Sequence, residues 1–162
     1  MRTLVCAATL ALSAAGMAAA QDMSAQDFVN EAASGGLFEV QSSELALERA
    51  QGDEVKAFAQ MMVTDHTANN AELAAVAEAQ GLTVPTEIAG ANAENMQAVA
   101  AAEGDAFDAV YAERQKAAHE AAVQLYESYV ESGDDEALVA YAEKSLPVLS
   151  QHLEQAQALP AE

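Results

Sequence analysis

Apolar residues recur along this chain at spacings of three and four, the interval that places side chains on one face of an α-helix. The stretch that begins at Asp53 shows the pattern clearly, with apolar positions at Val55, Phe58, Ala59, Met62, Val63, Leu73, Val76 and Ala77. Alanine, glutamate, glutamine and leucine dominate, and β-branched residues are few. The pattern therefore predicts an all-α protein.

Residues that start and stop helices divide the chain into four long helices. Ser24 suits an N-cap, and Gly81 suits the position just beyond a helix C-terminus. The four helices are predicted over Ser24 to Ala50, Asp53 to Gln80, Asp105 to Gly133, and Asp134 to Leu159. Each runs for about 27 residues, roughly 40 Å at the standard helical rise.

The connections predict how these helices are arranged. Tight turns join the first helix to the second and the third to the fourth, so each pair should be antiparallel. Residues 81–103 form a longer connection that could carry the chain from one end of the bundle to the other, and Ala91 to Ala102 should form a short helix within it. We expect a ferritin-like four-helix bundle made of two hairpins.

Pro147 lies inside the last predicted helix. A proline ring removes one backbone hydrogen bond and clashes with the preceding turn. The sequence therefore predicts a kink or a break near Ser145.

The first 20 residues have the order of a secretory signal peptide. Arg2 is their only charge, Leu4 to Leu12 is apolar, and Ala18 to Ala20 give a small-residue cleavage pattern. The apolar run is too short for a permanent membrane span, and Cys6 lies within it without the small residues of a lipoprotein signal. We expect cleavage before Gln21, export to the periplasm, and one mature domain over residues 21–162 without an integral membrane segment.

The predicted mature domain has no cysteine and 26 acidic residues against five basic ones, a net charge of about −21. Its stability must then come from packing or from a bound ligand, because no disulfide can form. Such a polyanion repels nucleic acid and anionic lipid, which excludes both classes of partner. The acidic residues are spread along the whole chain, as on a solvated surface.

Three histidines lie on three different predicted helices, each on an apolar stripe that points inward: His66, His119 and His152. Glu39, on the first helix, follows Gly35 and Gly36. Two glycines inside a helix cost about 1 kcal/mol each, which favours close helix packing beside Glu39. Glu39, His66 and His119 lie at the same depth by residue count, and His152 within a turn or two.

A set of three histidines and one glutamate would suit one transition-metal ion, whether zinc, copper, iron or manganese. A metal-free interpretation is also open, because a buried glutamate paired with a protonated histidine can fix helix register. Asp65 points about 100° away from His66, which suits orienting a group rather than binding the same ion. No nucleophile or phosphate-loop motif is present, and no catalytic residue is predicted.

The chain resembles a bacterial secreted family described as ferritin-like and named domain of unknown function 4142. The resemblance extends from about Asp27 to Leu159. It is carried by Phe28-Val29, Gly35-Gly36, Glu39-Val40, Val55 to Ala59, Met62 to His66, Phe107 to Tyr111, His119, Ser145 to Leu149, and His152-Leu153. It implies an exported four-helix bundle and no particular activity.

Di-iron carboxylate bundles carry a glutamate three residues before each ligand histidine. Val63 and Leu149 stand at those positions here, which argues against such a centre. The leading hypothesis is an exported, non-catalytic bundle with one mononuclear metal site formed by His66, His119, His152 and Glu39. The alternatives are a metal-free structural or stress-related interaction module, and a metal-dependent oxidoreductase.

Overall fold

The computed structural model describes residues 23–160, and the regular structure of these residues is entirely helical. The elements are α1 (Ala25–Arg49), α2 (Asp53–Ala79), α3 (Gly90–Ala101), α4 (Phe107–Ser132) and α5 (Glu136–Ala158), with a 3-10 turn at Gly104–Ala106 before α4. The prediction of an all-α bundle is confirmed, and each predicted helix boundary lies within two residues of the observed one. The predicted signal peptide lies outside the described residues.

Two predicted helix-end signals work as expected. Ser24 is the N-cap of α1, and its Oγ accepts a hydrogen bond from the Asp27 backbone N–H at 3.2 Å. Just beyond the end of α2, Gly81 adopts a φ of 72°, a left-handed conformation that glycine accepts without strain. The Leu82 N–H then reaches back to the Ala77 carbonyl at 2.9 Å and satisfies one of the last carbonyls of α2.

The chain forms two helical hairpins, α1 with α2 and α4 with α5. The connection between them returns along α1: the Gln26 side chain donates to the Thr83 carbonyl near the start of α1, and Arg49 donates to the Ala100 carbonyl near its end. The Asp108 carboxylate then accepts hydrogen bonds from the backbone of the α1–α2 turn. The connection therefore carries the chain from one end of the bundle to the other, as predicted.

Helix α5 continues through Pro147 without interruption. The break expected near Ser145 is therefore absent. Leu138 and Ala142 before the proline, and Leu149 and Ala156 after it, are all buried on the same helix. Burial of this stripe on both sides stabilises the helix against the roughly 3 kcal/mol that an interior proline costs.

The core consists of two apolar clusters, one toward each end of the bundle. The Tyr111 cluster, near the α1–α2 turn, contains Phe38, Ala46, Val55, Phe58, Met62, Phe107, Tyr111 and Ala156, with smaller residues around them. The Tyr126 cluster, toward the opposite end, contains Phe28, Val29, Leu73, Tyr126, Tyr129, Leu138, Tyr141 and Leu149, also with smaller neighbours. Along each long helix, buried polar residues lie between the two clusters. None of the helices in residues 23–160 has the length and apolar character needed to cross a membrane.

Candidate metal centre

The three predicted histidines meet in one layer between the two apolar clusters. His66 comes from α2, His119 from α4 and His152 from α5, and all three are at most 5% exposed. The ring centroids form a nearly equilateral triangle, with separations of 5.3 Å for His66 and His152 and 5.6 Å for the other two pairs. The prediction that the histidines lie at a common depth is therefore confirmed. We call Glu39, His66, Gln115, His119 and His152 the polar layer.

Hydrogen bonds fix one nitrogen of two of these rings and leave the other free. His119 Nδ1 donates to the Gln115 backbone carbonyl at 2.9 Å, and His152 Nε2 donates to Asp65 Oδ2 at 3.0 Å. Three ring nitrogens are buried without a hydrogen-bond partner among residues 23–160: His66 Nε2, His119 Nε2 and His152 Nδ1. A buried acceptor without a partner normally costs about 1–3 kcal/mol. Such nitrogens are the atoms that a metal ion would bind.

The spacing of the rings suits a single small cation. One nitrogen from each ring can be chosen so that the three atoms lie within 4.8 Å of one another. Ligands held at 2.0–2.1 Å from one ion lie about 3–4 Å apart. The three rings would therefore need to approach one another by about 1 Å, a shift that small side-chain rotations provide.

Burial keeps the histidines uncharged. It lowers the pKa of His119 to about 4, with the Gln115 carbonyl opposing the shift. Burial, with the other two imidazoles, also lowers the pKa of His66 well below its usual 6.5. The pKa of His152 is lowered too, although Asp65 opposes the effect. Neutral imidazole is the form that binds metals, so the rings are ready for an ion at neutral pH.

Glu39 lies beside this triad rather than within it. Its Oε1 is 3.5 Å from His119 Nδ1, the nitrogen that already donates to Gln115, and its carboxylate is not part of the group of close ligand atoms. Burial raises the pKa of Glu39 to about 8, with the Gln115 side chain partly opposing the rise. Glu39 and His119 are therefore both largely uncharged near pH 7, and their contact is not an ion pair.

Two openings lead from the triad toward the surface. The first, which we call the Glu39 cavity, has a volume of about 360 Å³ and lies between α1, α2 and α4, with Glu39, His66 and His119 in its wall. The second, the Asp65 groove, has a volume of about 290 Å³ and lies between α2 and α5, with Asp65, His66 and His152 in its wall. His66 is the triad member that both openings share.

A comparison with known protein families gives a match over residues 10–159 to the family described as "Domain of unknown function (DUF4142)". The chain belongs to this family. No curated protein sequence matches the chain.

This DUF4142 protein also has the fold of solved copper- and silver-bound structures. The structure titled "CopM in the Cu(II)-bound form" superposes with a TM-score of 0.68 at 16% identity, covering 83% of this chain and 94% of that one. The structure titled "CopM in the Ag-bound form (by co-crystallization)" superposes with a TM-score of 0.66 at 17% identity, covering 83% and 93%. At this identity the similarity establishes a common fold.

Of the glycine pair of this DUF4142 protein, Gly36 has the packing role that the sequence predicted. A Cβ atom on Gly36 would overlap the Asn70 side chain of α2, so only glycine allows this contact between α1 and α2. Gly35 instead faces Asn92 of α3, with room for a Cβ atom 3.7 Å away. Both glycines line the Glu39 cavity.

The structure adds two partners that hold the histidines. Asp65, expected to orient a group rather than bind the ion, orients His152 across the α2–α5 interface. Gln115, which sequence reasoning missed, orients His119 through its backbone carbonyl. Gln115 lies one helical turn before His119, and this spacing could have indicated the contact, because a side chain can reach the backbone carbonyl four residues earlier.

Proposed function

We propose that this protein is an exported, copper-binding helical bundle that holds one ion between His66, His119 and His152. The observation that carries the proposal is the set of three buried imidazole nitrogens without hydrogen-bond partners, grouped at one level of the core. The hydrogen bonds to Asp65 and Gln115 support it, because ligand histidines commonly donate their other ring N–H to such a group.

Copper is the metal that this ligand set favours most. Imidazole suits zinc, copper, iron and nickel, and among divalent ions of this series copper binds most tightly. The three histidine ligands bring no carboxylate to the ion, which disfavours manganese and other hard cations. The fold shared with the copper- and silver-bound CopM structures supports the same choice.

Glu39 has a different role in this proposal from the one predicted from the sequence. Its carboxylate lies behind His119, on the side of Nδ1, and so it is placed as a neighbour of the site rather than as a fourth protein ligand. The three histidines therefore form the complete protein ligand set. A three-ligand site leaves a coordination position that an external ligand can occupy.

The metal-free interpretation accounts less well for this layer. A polar network that fixes helix register is stabilising when its members satisfy one another. Here Glu39 Oε2 and Gln115 Oε1 also lack partners, in addition to the three ring nitrogens. A buried layer with five unpaired polar atoms suits a site that is completed by a ligand.

Export is the second part of the proposal and rests on residues 1–20, with their single charge, apolar run and alanine cleavage pattern. Cell fractionation with N-terminal sequencing tests it. The expected product lies in the periplasm and begins at Gln21. A full-length chain that begins at Met1 in the cytoplasm would contradict export.

Metal analysis of the untagged mature protein tests the copper site. After loading and dialysis, we expect one copper ion per chain in the wild type and none above background in His119→Leu. Glu113→Gln, at an exposed position of the same helix, should keep full occupancy. Preferred binding of zinc, iron or manganese would contradict the choice of copper, and the absence of all four metals would contradict the site itself.

A further inference from the structure

Only three of the four long helices contribute a histidine to the triad. Its three histidines come from α2, α4 and α5, and α1 contributes no histidine. The face of the triad toward α1 is the location of the Glu39 cavity, whose wall includes His66 and His119 but not His152. An ion held by three protein ligands from the other helices would therefore have its remaining coordination position on the α1 side.

The rest of the cavity wall is made mainly of small or apolar side chains. Gly35 and Gly36 of α1, and Ala118 and Ala122 of α4, leave room next to the triad where larger residues would close it. The cavity volume of about 360 Å³ is several times larger than the roughly 30 Å³ that one water molecule occupies. A small organic molecule can therefore fit beside the ion.

Besides the ring nitrogens of His66 and His119, a carboxyl oxygen in this wall lacks a partner among the described residues. Glu39 is 3% exposed, and its Oε2 has no hydrogen-bond partner among the described residues, whereas Oε1 lies toward His119. A buried carboxyl oxygen without a partner is unfavourable. A neutral carboxyl group keeps one acceptor oxygen. With the proton on Oε1, a ligand in the cavity that carries an N–H or O–H group would supply the missing partner of Oε2.

The Asp65 groove, the other opening, differs in this respect. Asp65 already accepts from His152, and both oxygens of Glu72 accept from Lys144 Nζ, at 2.6 and 2.8 Å. The carboxylates of the groove are thus paired, whereas Oε2 of Glu39 in the cavity is not. The geometry favours the cavity as the place where a small ligand meets the ion.

We propose that the Glu39 cavity is a binding site for a small molecule that coordinates the ion through a lone pair and donates an N–H or O–H hydrogen bond to Glu39. The proposal rests on the proposed metal site. It assigns Glu39 as a ligand-binding residue and makes the centre open to exchangeable ligands. Small imidazoles, hydroxylamines and peroxides have the required pair of groups.

Two isomeric probes test the proposal with the copper(II)-loaded full mature chain. Both 4-methylimidazole and 1-methylimidazole carry a coordinating ring nitrogen and have the same size, but only 4-methylimidazole has an N–H group. Each is titrated while the electron paramagnetic resonance spectrum of the copper is recorded, and retained copper is measured after desalting. We expect 4-methylimidazole to bind the wild type about tenfold more tightly, the usual effect of one hydrogen bond to a carboxyl group.

Two variants separate the roles of the carboxyl group and the cavity. Glu39→Leu should retain copper and bind the two isomers equally. Ala122→Leu, which fills the cavity, should retain copper and weaken both isomers at least tenfold. Ala117→Leu is the matched control, because Ala117 lies on the same helix but is exposed and outside the cavity wall.

The outcomes distinguish this proposal from the metal site on which it depends. Three outcomes with retained copper would overturn the cavity proposal alone. They are a copper spectrum that neither imidazole changes, equal affinities of the wild type for the two isomers, and a preference for 4-methylimidazole that survives in Glu39→Leu. Removal of the copper by either imidazole would also overturn it, because the probe would then compete with the histidines. A wild type that binds no copper would overturn both.

Discussion

The two apolar clusters and the polar layer between them are buried to the same extent, yet they differ in how their groups are satisfied. Phe28 in the Tyr126 cluster and His119 in the polar layer are both 0% exposed. Phe28 stacks on Tyr129 with ring centroids 4.1 Å apart and meets Tyr126 edge-on at 5.1 Å, so it is fully packed. His119 is also enclosed, but its Nε2 has no partner.

The apolar clusters and the polar layer therefore have different roles. Burying an apolar ring stabilises the fold, whereas burying a polar atom without a partner destabilises it. The clusters therefore account for the stability of the bundle in the absence of any ligand. The unpaired atoms of the polar layer lower that stability, which is typical of a functional site, and the proposed ion would remove this cost.

The largest expected effect on stability is that of a substitution in an apolar cluster. Phe28→Ala should lower the free energy of unfolding by about 3–5 kcal/mol, because it leaves a cavity among three aromatic rings. Urea denaturation measures the loss. Val148→Ala is the control, since Val148 is 45% exposed and should change stability little. A loss no larger than that of the control would show that this cluster does not stabilise the bundle.

The corresponding change in the polar layer should have two opposite consequences. His66→Leu should raise the stability of the metal-free protein by about 1 kcal/mol, because it removes a buried nitrogen without a partner. It should also abolish stabilisation by copper, which in the wild type should reach about 2.7 kcal/mol at a free copper concentration 100 times Kd.

Thermal or urea unfolding with and without buffered copper measures both effects of His66→Leu. Thr67→Ala, exposed on the same helix, should leave the copper effect unchanged. If metal-free His66→Leu were several kcal/mol less stable than the wild type, the histidine would be an ordinary core residue, and the contrast between the regions would disappear.

The role of Asp65 in orienting His152 can be tested separately. Asp65→Ala should weaken copper binding about 10- to 100-fold, because His152 loses the partner that fixes its ring. Competition with a copper chelator measures the affinity. Glu72→Gln removes a nearby carboxylate of the same groove and should change the affinity less than twofold. Equal losses in both variants would mean that negative charge, rather than orientation, explains the effect.

The pH dependence of the metal-free protein should differ on the two sides of pH 6.5. Between about pH 8 and 6.5 the folded protein holds the Glu39 proton, while the unfolded chain, with a pKa near 4.5, does not. The Glu39 proton should therefore add about 1–2 kcal/mol to stability as the pH falls through this window, at up to about 1.4 kcal/mol per unit, and the first protonation of histidines in the unfolded chain should offset part of this gain. Below pH 6.5 the slope should reverse, because the unfolded chain binds histidine protons that the folded core excludes.

Glu39→Gln isolates the part of this profile that belongs to Glu39. Its stability should not rise but should fall by about 1 kcal/mol as the pH falls from 8 to 6.5, because the histidine contribution remains. Glu113→Gln, at an exposed site, should follow the wild type. Urea denaturation at half-unit intervals of pH provides the measurement. A wild-type profile that runs parallel to that of Glu39→Gln between pH 8 and 6.5 would show that Glu39 keeps an ordinary pKa.

The architecture could be predicted from the sequence because each helix carries its own signals. The apolar spacing in α2, the N-cap at Ser24 and the left-handed Gly81 are local features, and all of them appear in the structure. Counting residues from the helix starts was enough to place His66 and His119 at one depth and His152 within a turn or two of them. The break considered at Pro147 is absent because propensity is local, whereas the burial that keeps α5 helical through it depends on the other helices.

The details of the site could not be predicted in the same way. Which ring nitrogen is free depends on contacts between helices, such as that of His152 with Asp65. The rotation of α1 about its own axis determines whether the Glu39 carboxylate lies among the ligand nitrogens or behind His119. This rotation cannot be read from the sequence pattern. The sequence could therefore supply the candidates, whereas the roles of Glu39 and Gln115 required the structure.

The most direct test of the central claim is the anomalous X-ray signal of copper in crystals of the loaded mature protein. We predict a single strong peak about 2 Å from one nitrogen of each of His66, His119 and His152, at the distance typical of imidazole ligands. The nitrogens should be those that are free here, Nε2 of His66 and His119 and Nδ1 of His152. A peak elsewhere on the protein, or none between these rings, would contradict the account.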